Sequence, residues 1–259
     1  MTDDSTDAGP DAGDGAHDFR AQRLFVEADL AAGTRIALTR EQANYLLAVL
    51  RLDTGDPILV FNGRDGEWRA KLQRSSRRDA ALEVVSRKRA QTGGPDLLYL
   101  FAPLKRSRLD YMVQKATEMG VSRLQPVITR YTIAERVNTG RMRANVIEAA
   151  EQCGVLRVPD VAEPLPLQRA LSALEPMRHL VFCDEAAPIR DPVAALSAVP
   201  VGPIAVLIGP EGGFSPEERE KLSARSSVTR LSLGPRIMRA DTAAVAALAL
   251  VNAVLGDWR

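Results

Sequence analysis

The strongest constraint on the fold is an alternation of short apolar segments with helical patterns after residue 95. Apolar runs predict strands at 97–102, 124–128, 179–183, 204–208 and 228–233. Apolar residues at helical spacing predict helices at 106–119, 141–152, 216–224 and 242–255. This alternation is typical of a parallel sheet with helices on both faces. We therefore predict an α/β domain over about 95–259.

The preceding part of the chain has a different pattern. Strands are predicted at 23–26, 35–38, 57–61, 67–72 and 80–85. Thr39 and Gln42 form the capping-box pattern of a helix that reaches Leu50. We predict a small β-rich domain at 19–90, joined to the α/β domain by a linker at 91–95. Residues 1–18, which are rich in Asp and Gly, are expected to be a disordered acidic tail.

Charge and composition limit the class of protein. The formal net charge is +1, but the first 18 residues contain six aspartates and no Lys or Arg, so the remainder has a charge of +7. A basic body fits a polyanionic partner, although ordinary solubility charge is an equal alternative. Cys153 and Cys183 form no C-x-x-C pair, and only two histidines are present. We expect no metal site, no signal peptide and no membrane span, and therefore a reducing, cytoplasmic location. Cys153 is expected to be buried as a small hydrophobe.

Two junctions between a strand and a helix contain the residues that point to chemistry. The first, 207–218, joins an apolar strand to three glycines, Pro210 and a helix start at which Ser215 and Glu218 form a capping box. The second, 231–244, again places Gly-Pro after a strand and before a nearly all-apolar helix. Carboxyl ends of parallel strands are where α/β proteins bind ligands. Neither junction is a dinucleotide fingerprint or a phosphate loop, and tight turns before capped helices are the structural alternative.

These motifs resemble a known family over nearly all of the chain after residue 19. The resemblance rests on 43–45, 49–52, 55–56, 61–63, Lys105, 114–121, 147–154, 157–159, 208–213 and 233–242. Together they are similar to the SPOUT class of methyltransferases and, within it, to the 16S rRNA (uracil(1498)-N(3))-methyltransferase family, RsmE. The sequence departs from the family's usual residues at Tyr45, Val155 and Asp241.

The resemblance implies a fold, a reaction and site residues. It implies a PUA-like RNA-binding β-barrel at 19–90 and an α/β domain at 95–259 that forms a trefoil knot. It also implies a homodimer that methylates N3 of a uridine in 16S rRNA of the small ribosomal subunit with S-adenosylmethionine as donor. The donor is expected against Leu207, Ile208, Gly209, Gly212, Gly213, Leu233, Gly234, Ile237 and Met238.

Candidate catalytic and RNA-binding residues follow from the same resemblance and from charge. Arg239 could stabilise a developing uracil anion or hold a phosphate. Glu211 and Asp241 are the nearby carboxylates that could accept the N3 proton, although Asp241 could equally cap the last helix. Positive residues that could contact RNA phosphates, or simply face solvent, are Arg20, Arg23, Arg51, Lys105, Arg108 and Lys115.

Three other functions stay open on the sequence alone. The first is another SPOUT reaction, methylation of a ribose 2′-OH in rRNA or tRNA. The second is a non-enzymatic RNA-binding factor in ribosome assembly. The third is a nucleotide-hydrolysing enzyme, which the missing phosphate-loop lysine disfavours.

Overall fold

The computed structural model describes residues 21–76, 79–133, 136–188 and 191–258 of the 259-residue chain. The chain divides into two compact units, Met1–Thr92 and Gly93–Arg259. The predicted tail at 1–18 and the RNA-binding candidate Arg20 lie outside the described residues. Within those ranges, none of the helices combines the length and the hydropathy of a membrane span.

The first unit is built on a five-stranded sheet in the order β1-β3-β4-β5-β2. β1 and β3 are parallel, and the other neighbours are antiparallel. Thr39 caps α1 through the predicted capping box with Gln42, and α1 continues into a π-helical turn at Tyr45–Val49. The strands are β1 Arg23–Phe25, β2 Arg35–Ala37, β3 Pro57–Phe61, β4 Glu67–Arg74 and β5 Ala80–Arg89, and α1 is Arg40–Asn44.

A buried ion pair corrects one prediction in this unit. The Arg23 side chain is 2% exposed, and its Nε donates to Glu67 Oε1 at 2.8 Å. Arg89 donates to both oxygens of the same carboxylate, so Glu67 is bound by two guanidiniums. The proposal that Arg23 contacts RNA is therefore wrong, because its guanidinium lies inside the fold.

The second unit contains a seven-stranded sheet in which every pairing is parallel. Its main order is β12-β10-β11-β6-β7-β8, and β9 also pairs with β7. The strands are β6 Leu97–Phe101, β7 Arg123–Ile128, β8 Asp160–Val161, β9 Leu165–Pro166, β10 His179–Cys183, β11 Ile204–Ile208 and β12 Val228–Leu231. The helices are α2 Arg106–Glu118, α3 Thr139–Cys153, α4 Leu167–Ser172, α5 Pro192–Ser197, α6 Pro216–Ser223 and α7 Ala240–Val254.

Residues of each central strand alternate between two apolar cores, one on each face of the sheet. In β6, Leu97, Tyr99 and Phe101 enter the core with α2, α3, α5 and α7. Leu98 and Leu100 enter the opposite core with α4 and α6. Successive strand side chains point to opposite faces, so an all-apolar strand requires cover on both. The predicted parallel, doubly covered sheet is confirmed.

Several local predictions needed correction. α4 and α5, six residues each, and the two-residue strands β8 and β9 were missed because they are too short to show periodicity. α7 begins at Ala240, two residues before the predicted start. Cys153 is exposed rather than buried, because it is the last residue of α3 and lies on its outer side.

Candidate functional site

The two glycine-proline junctions meet at one cavity of about 330 Å³ at the carboxyl edge of the sheet. In the strand order, β10 lies between β11 and β12, so the segments that follow these three strands are neighbours. The cavity is lined by 183–185 at the end of β10, by 208–213 at the end of β11, by 231–238 at the end of β12, and by Ala240 and Ala243 of α7. A crevice at the carboxyl ends of parallel strands is the usual ligand site of such a sheet.

The first junction requires glycine for two reasons. A Cβ on Gly209 would lie 2.5 Å from Phe214 Cε2, and the Phe214 ring is fixed by an edge-on contact with Phe182. Gly213 has φ +70°, and a Cβ there would lie 2.7 Å from Glu185 Oε1. Substitution at either position would therefore move the wall of the cavity.

The helix that follows this junction is firmly anchored. Ser215 caps α6, and its capping box with Glu218 is complete, as predicted. The second oxygen of Glu218 accepts a hydrogen bond of 2.8 Å from the backbone N–H of Arg130, in the segment after β7. The Glu218 carboxylate thus connects the glycine loop after β11 to the segment that follows β7.

The second junction forms the opposite wall and is more exposed. Gly234 has φ +102°, a conformation that favours glycine, with open space where a Cβ would point. Ile237 is 99% exposed although it borders the cavity.

Asp184 is a site residue that the sequence analysis did not identify. Its side chain is fully buried at the end of β10, where Arg230 contacts Oδ2 at 2.6 Å and Arg219 approaches Oδ1 at 3.4 Å. Arg219 belongs to α6 and Arg230 to β12, so one carboxylate ties together the elements that bound the cavity. A polar residue directly after a predicted parallel strand was the available signal.

Cys183, beside Asp184, is not an active thiol. Burial raises the pKa of its thiol to about 12, and the Asp184 charge contributes in the same direction. The thiol therefore stays protonated at neutral pH, which argues against a nucleophilic role.

Most predicted donor-binding residues border the cavity. Eight of the nine do so: Ile208, Gly209, Gly212, Gly213, Leu233, Gly234, Ile237 and Met238. Leu207 is instead buried in the core on the α4 and α6 side. Arg236 is also part of the lining.

The three candidate catalytic residues occupy different positions. Glu211 borders the cavity, and its carboxylate lies 3.6 Å from Arg108 of α2. Arg239 and Asp241 flank the cavity at the start of α7 without being part of its lining. Asp241 accepts a hydrogen bond from the backbone N–H of Thr242, so its carboxylate supports the first turn of the helix.

The remaining RNA-binding candidates differ in their local surroundings. Arg108 reaches the cavity rim through Glu211, whereas the Lys115 ammonium is bound to Glu118 at 2.7 Å. Lys105 is exposed at the start of α2. Arg51, in the first unit, is exposed with the unusual φ of 57°.

Comparison with known families matches both units. The family described as "RNA methyltransferase domain" matches residues 93–252, and that described as "RNA methyltransferase PUA domain" matches residues 38–85. A protein of Synechocystis named ribosomal RNA small subunit methyltransferase E is 32% identical over 91% of this chain and 78% of its own length. A protein of the same name from Rickettsia conorii is 29% identical over 90% of this chain and 96% of its own length.

Solved structures show the same fold. The Neisseria gonorrhoeae ribosomal RNA small subunit methyltransferase E, crystallised with S-adenosyl methionine, superposes with a TM-score of 0.82 and 26% identity, covering 93% of this chain and 100% of its own. The Legionella pneumophila protein Lpg2936, a putative methyltransferase in complex with SAM, gives a TM-score of 0.80 and 27% identity, with 92% and 99% covered.

Proposed function

Since this chain belongs to the ribosomal RNA small subunit methyltransferase E family, we propose that it methylates N3 of one uridine in 16S rRNA, position 1498, with S-adenosylmethionine as donor. The observation that supports this proposal most directly is the convergence of both glycine-proline junctions on one cavity. We further propose that these junctions are parts of a trefoil knot. The cytoplasm, where the small ribosomal subunit is found, is the proposed location.

The cavity has the chemistry that this donor needs. Ile208, Leu231 and Leu233 offer an apolar surface for an adenine ring, and the glycine loops expose backbone donors and acceptors. Glu185 and Glu211 place carboxylates at the lining, which suits the positive charges of a sulfonium and an α-amino group. S-adenosylmethionine supplies an electrophilic methyl group when bound.

The protein's own residues must then align the uracil and remove its N3 proton. Positioning of two reactants can contribute about 7–11 kcal/mol to lowering a barrier. Of the two candidate carboxylates, Glu211 borders the cavity and Asp241 does not, so we propose Glu211 as the proton acceptor ahead of Asp241, which accepts a hydrogen bond from Thr242. Arg108 or Arg239 would stabilise the uracil anion, since guanidinium groups stay charged and bind planar anions.

We also propose that two copies of the chain associate through α7. Thr242, Val245, Ala246, Ala249 and Ala253 share one face of this helix and are at least partly exposed. The 99% exposed Ile237 precedes the same helix beside the cavity. An apolar stripe next to a ligand site suits a self-complementary interface.

The interface can be tested by sedimentation velocity. Val245→Glu should convert dimer to monomer, because it places a charge in an apolar contact. Val201→Glu is the matched control, since Val201 is 87% exposed in a loop outside α7. Equal sedimentation of both variants as dimers would contradict this interface.

The reaction is tested by the modified base. In a deletion strain, mass spectrometry of 16S rRNA should show loss of N3-methyluridine, restored by the wild-type gene and not by Glu211→Gln. An unchanged N3-methyluridine level with loss of a 2′-O-methylated nucleotide would favour the alternative SPOUT reaction. Failure of the folded protein to bind S-adenosylmethionine in calorimetry, with or without RNA, would favour the non-enzymatic assembly factor.

A further inference from the structure

A second cavity of about 440 Å³ lies between the first turns of α2 and α3. Three arginines, Arg106, Arg136 and Arg141, surround it together with the acidic Asp110. Leu104, Leu109 and Met142 form an apolar floor. The cavity therefore combines a buried apolar base with a positive, exposed rim.

The charges in this cavity are unevenly compensated. Arg141 binds Asp110 through two parallel hydrogen bonds, Nε to Oδ1 at 2.9 Å and Nη2 to Oδ2 at 2.7 Å, and Asn145 donates to Oδ1. The hydrogen bond from Arg141 holds the pKa of Asp110 below its usual value, so this carboxylate is ionised at neutral pH. Arg141 is thereby largely neutralised.

Arg106 and Arg136 provide the remaining positive charge. Both are exposed, and among the residues that the structure describes neither lies within 4 Å of a carboxylate oxygen. Two guanidiniums over an apolar floor suit a nucleotide, whose phosphate binds the arginines and whose base or ribose contacts the floor. A small inorganic anion would leave that floor uncovered.

The position of this cavity relates it to the donor site. Arg108 lies two residues after Arg106 on α2 and faces the other way, toward Glu211 of the first cavity. α2, which is roughly 10 Å in diameter, thus contributes Arg106 to this cavity and places Arg108 against Glu211 at the rim of the first. A single RNA strand with its target base at the first cavity can place a neighbouring nucleotide in the second.

Building on the proposed function, we propose that the cleft between α2 and α3 binds one nucleotide of the single-stranded rRNA beside the methylated base, with its phosphate on Arg106 and Arg136. Sequence-specific recognition of RNA usually targets such unpaired segments, which leave bases free to interact with protein. Binding of a nucleotide in the cleft would set which base of the RNA strand lies at the donor cavity, where methyl transfer takes place.

The test is fluorescence anisotropy of the full-length protein with a short labelled single-stranded RNA that contains the target uridine. We expect Arg106→Gln/Arg136→Gln to raise Kd about tenfold. The slope of log Kd against log salt should fall by about 0.7 for each phosphate that the variant no longer neutralises. Arg143→Gln is the matched control, because Arg143 is an exposed α3 arginine outside the cleft. Calorimetry should give the same S-adenosylmethionine Kd for all variants.

A second variant tests the cleft without removing an arginine. Asp110→Asn keeps the shape of the side chain and removes the acidic charge, so RNA binding should become a few-fold tighter. Weaker binding by Asp110→Asn, or equal Kd and salt slope for the double variant and Arg143→Gln, would overturn the proposal. If wild-type protein binds the RNA but does not methylate it, the proposed reaction is wrong. The binding test still shows whether the cleft binds a nucleotide.

Discussion

Glu67 in the first unit and Asp184 in the second are both buried carboxylates between two arginines, but their surroundings differ. The arginines on Glu67 have side-chain exposures of 2% and 17%, and they link β1, β4 and β5 within the sheet. The arginines on Asp184 are 26% and 34% exposed, and the carboxylate borders the donor cavity. A carboxylate bound by two arginines thus stabilises the sheet in the first unit and positions the walls of the cavity in the second.

The difference lies in what surrounds each charge rather than in the charges themselves. Removing one partner from a buried ion pair leaves an uncompensated charge, which is strongly destabilising. Where the partners reach solvent, water compensates part of that loss. We therefore expect Glu67 variants to lose more stability than Asp184 variants, and Asp184 variants alone to lose donor affinity.

The largest effect should follow Glu67→Gln. Arg23 would then be buried without a counter-charge, and we expect the free energy of unfolding to fall by about 3–5 kcal/mol. Urea unfolding followed through Trp68 fluorescence, in a Trp258→Phe background, reports this unit, because Trp68 lies in β4 beside Glu67. Calorimetry should show an unchanged S-adenosylmethionine Kd. A stability loss below about 1 kcal/mol would contradict the conclusion that Glu67 is the counter-charge of the buried Arg23.

Acid should reproduce part of that loss in the wild-type protein. Burial raises the pKa of the Glu67 carboxyl, but the hydrogen bonds and charges of Arg89 and Arg23 outweigh it and leave the pKa below its ordinary 4.5. A carboxyl with a lowered folded pKa stabilises the fold above the unfolded pKa, and this contribution disappears as the pH falls through the folded value. Urea midpoints of Trp68 unfolding should fall below about pH 4.5 more steeply in wild type than in Glu67→Gln. Parallel pH profiles would contradict this expectation.

Asp184→Asn should have a smaller effect on stability than Glu67→Gln, and it should also weaken donor binding. The Asn amide carries no negative charge, so it attracts Arg219 and Arg230 less strongly than the carboxylate does. The elements that bound the cavity should therefore be held less firmly in place. We expect the S-adenosylmethionine Kd to rise about tenfold, equivalent to about 1.4 kcal/mol, with a stability loss of about 1–2 kcal/mol. If Glu67→Gln weakened donor binding as much as Asp184→Asn, the proposed contrast between the two units would not hold.

The smallest effect should come from Arg219→Lys. This change keeps the positive charge near Asp184 and Glu185 but loses the fork geometry of the guanidinium. Calorimetry should give an S-adenosylmethionine Kd within about threefold of wild type, a change below about 1 kcal/mol. An effect as large as that of Asp184→Asn would show that geometry, rather than charge, governs the cavity walls.

Much of the architecture could be predicted because it depends on patterns among residues that are close in the sequence. β3, β10 and β11 were predicted to the residue, since each is a bounded apolar run. The capping boxes at Thr39 and Ser215 were also predicted, because capping depends on residues three positions apart. Elements without such local signals, such as α4 and α5, were not found.

The site was only partly predictable, for a related reason. The glycine loops were recognised from motifs within a few residues of one another, and eight of the nine predicted donor-binding positions border the cavity. Asp184 was missed because its partners Arg219 and Arg230 are 35 and 46 residues away in the chain. Arg23 was misjudged because an arginine in a basic sequence gives no sign that a glutamate 44 residues away will bind it inside the fold.

Local patterns in the chain were enough to predict most helices and strands, the parallel sheet and the two glycine-rich junctions, since hydrophobic period and turn chemistry act over a few residues. Only the folded chain shows which charges form buried pairs, which arginines remain exposed around a cleft, and that three strand ends share one cavity. Those outcomes depend on which distant segments the sheet order brings together, and burial then sets the energy of each charge.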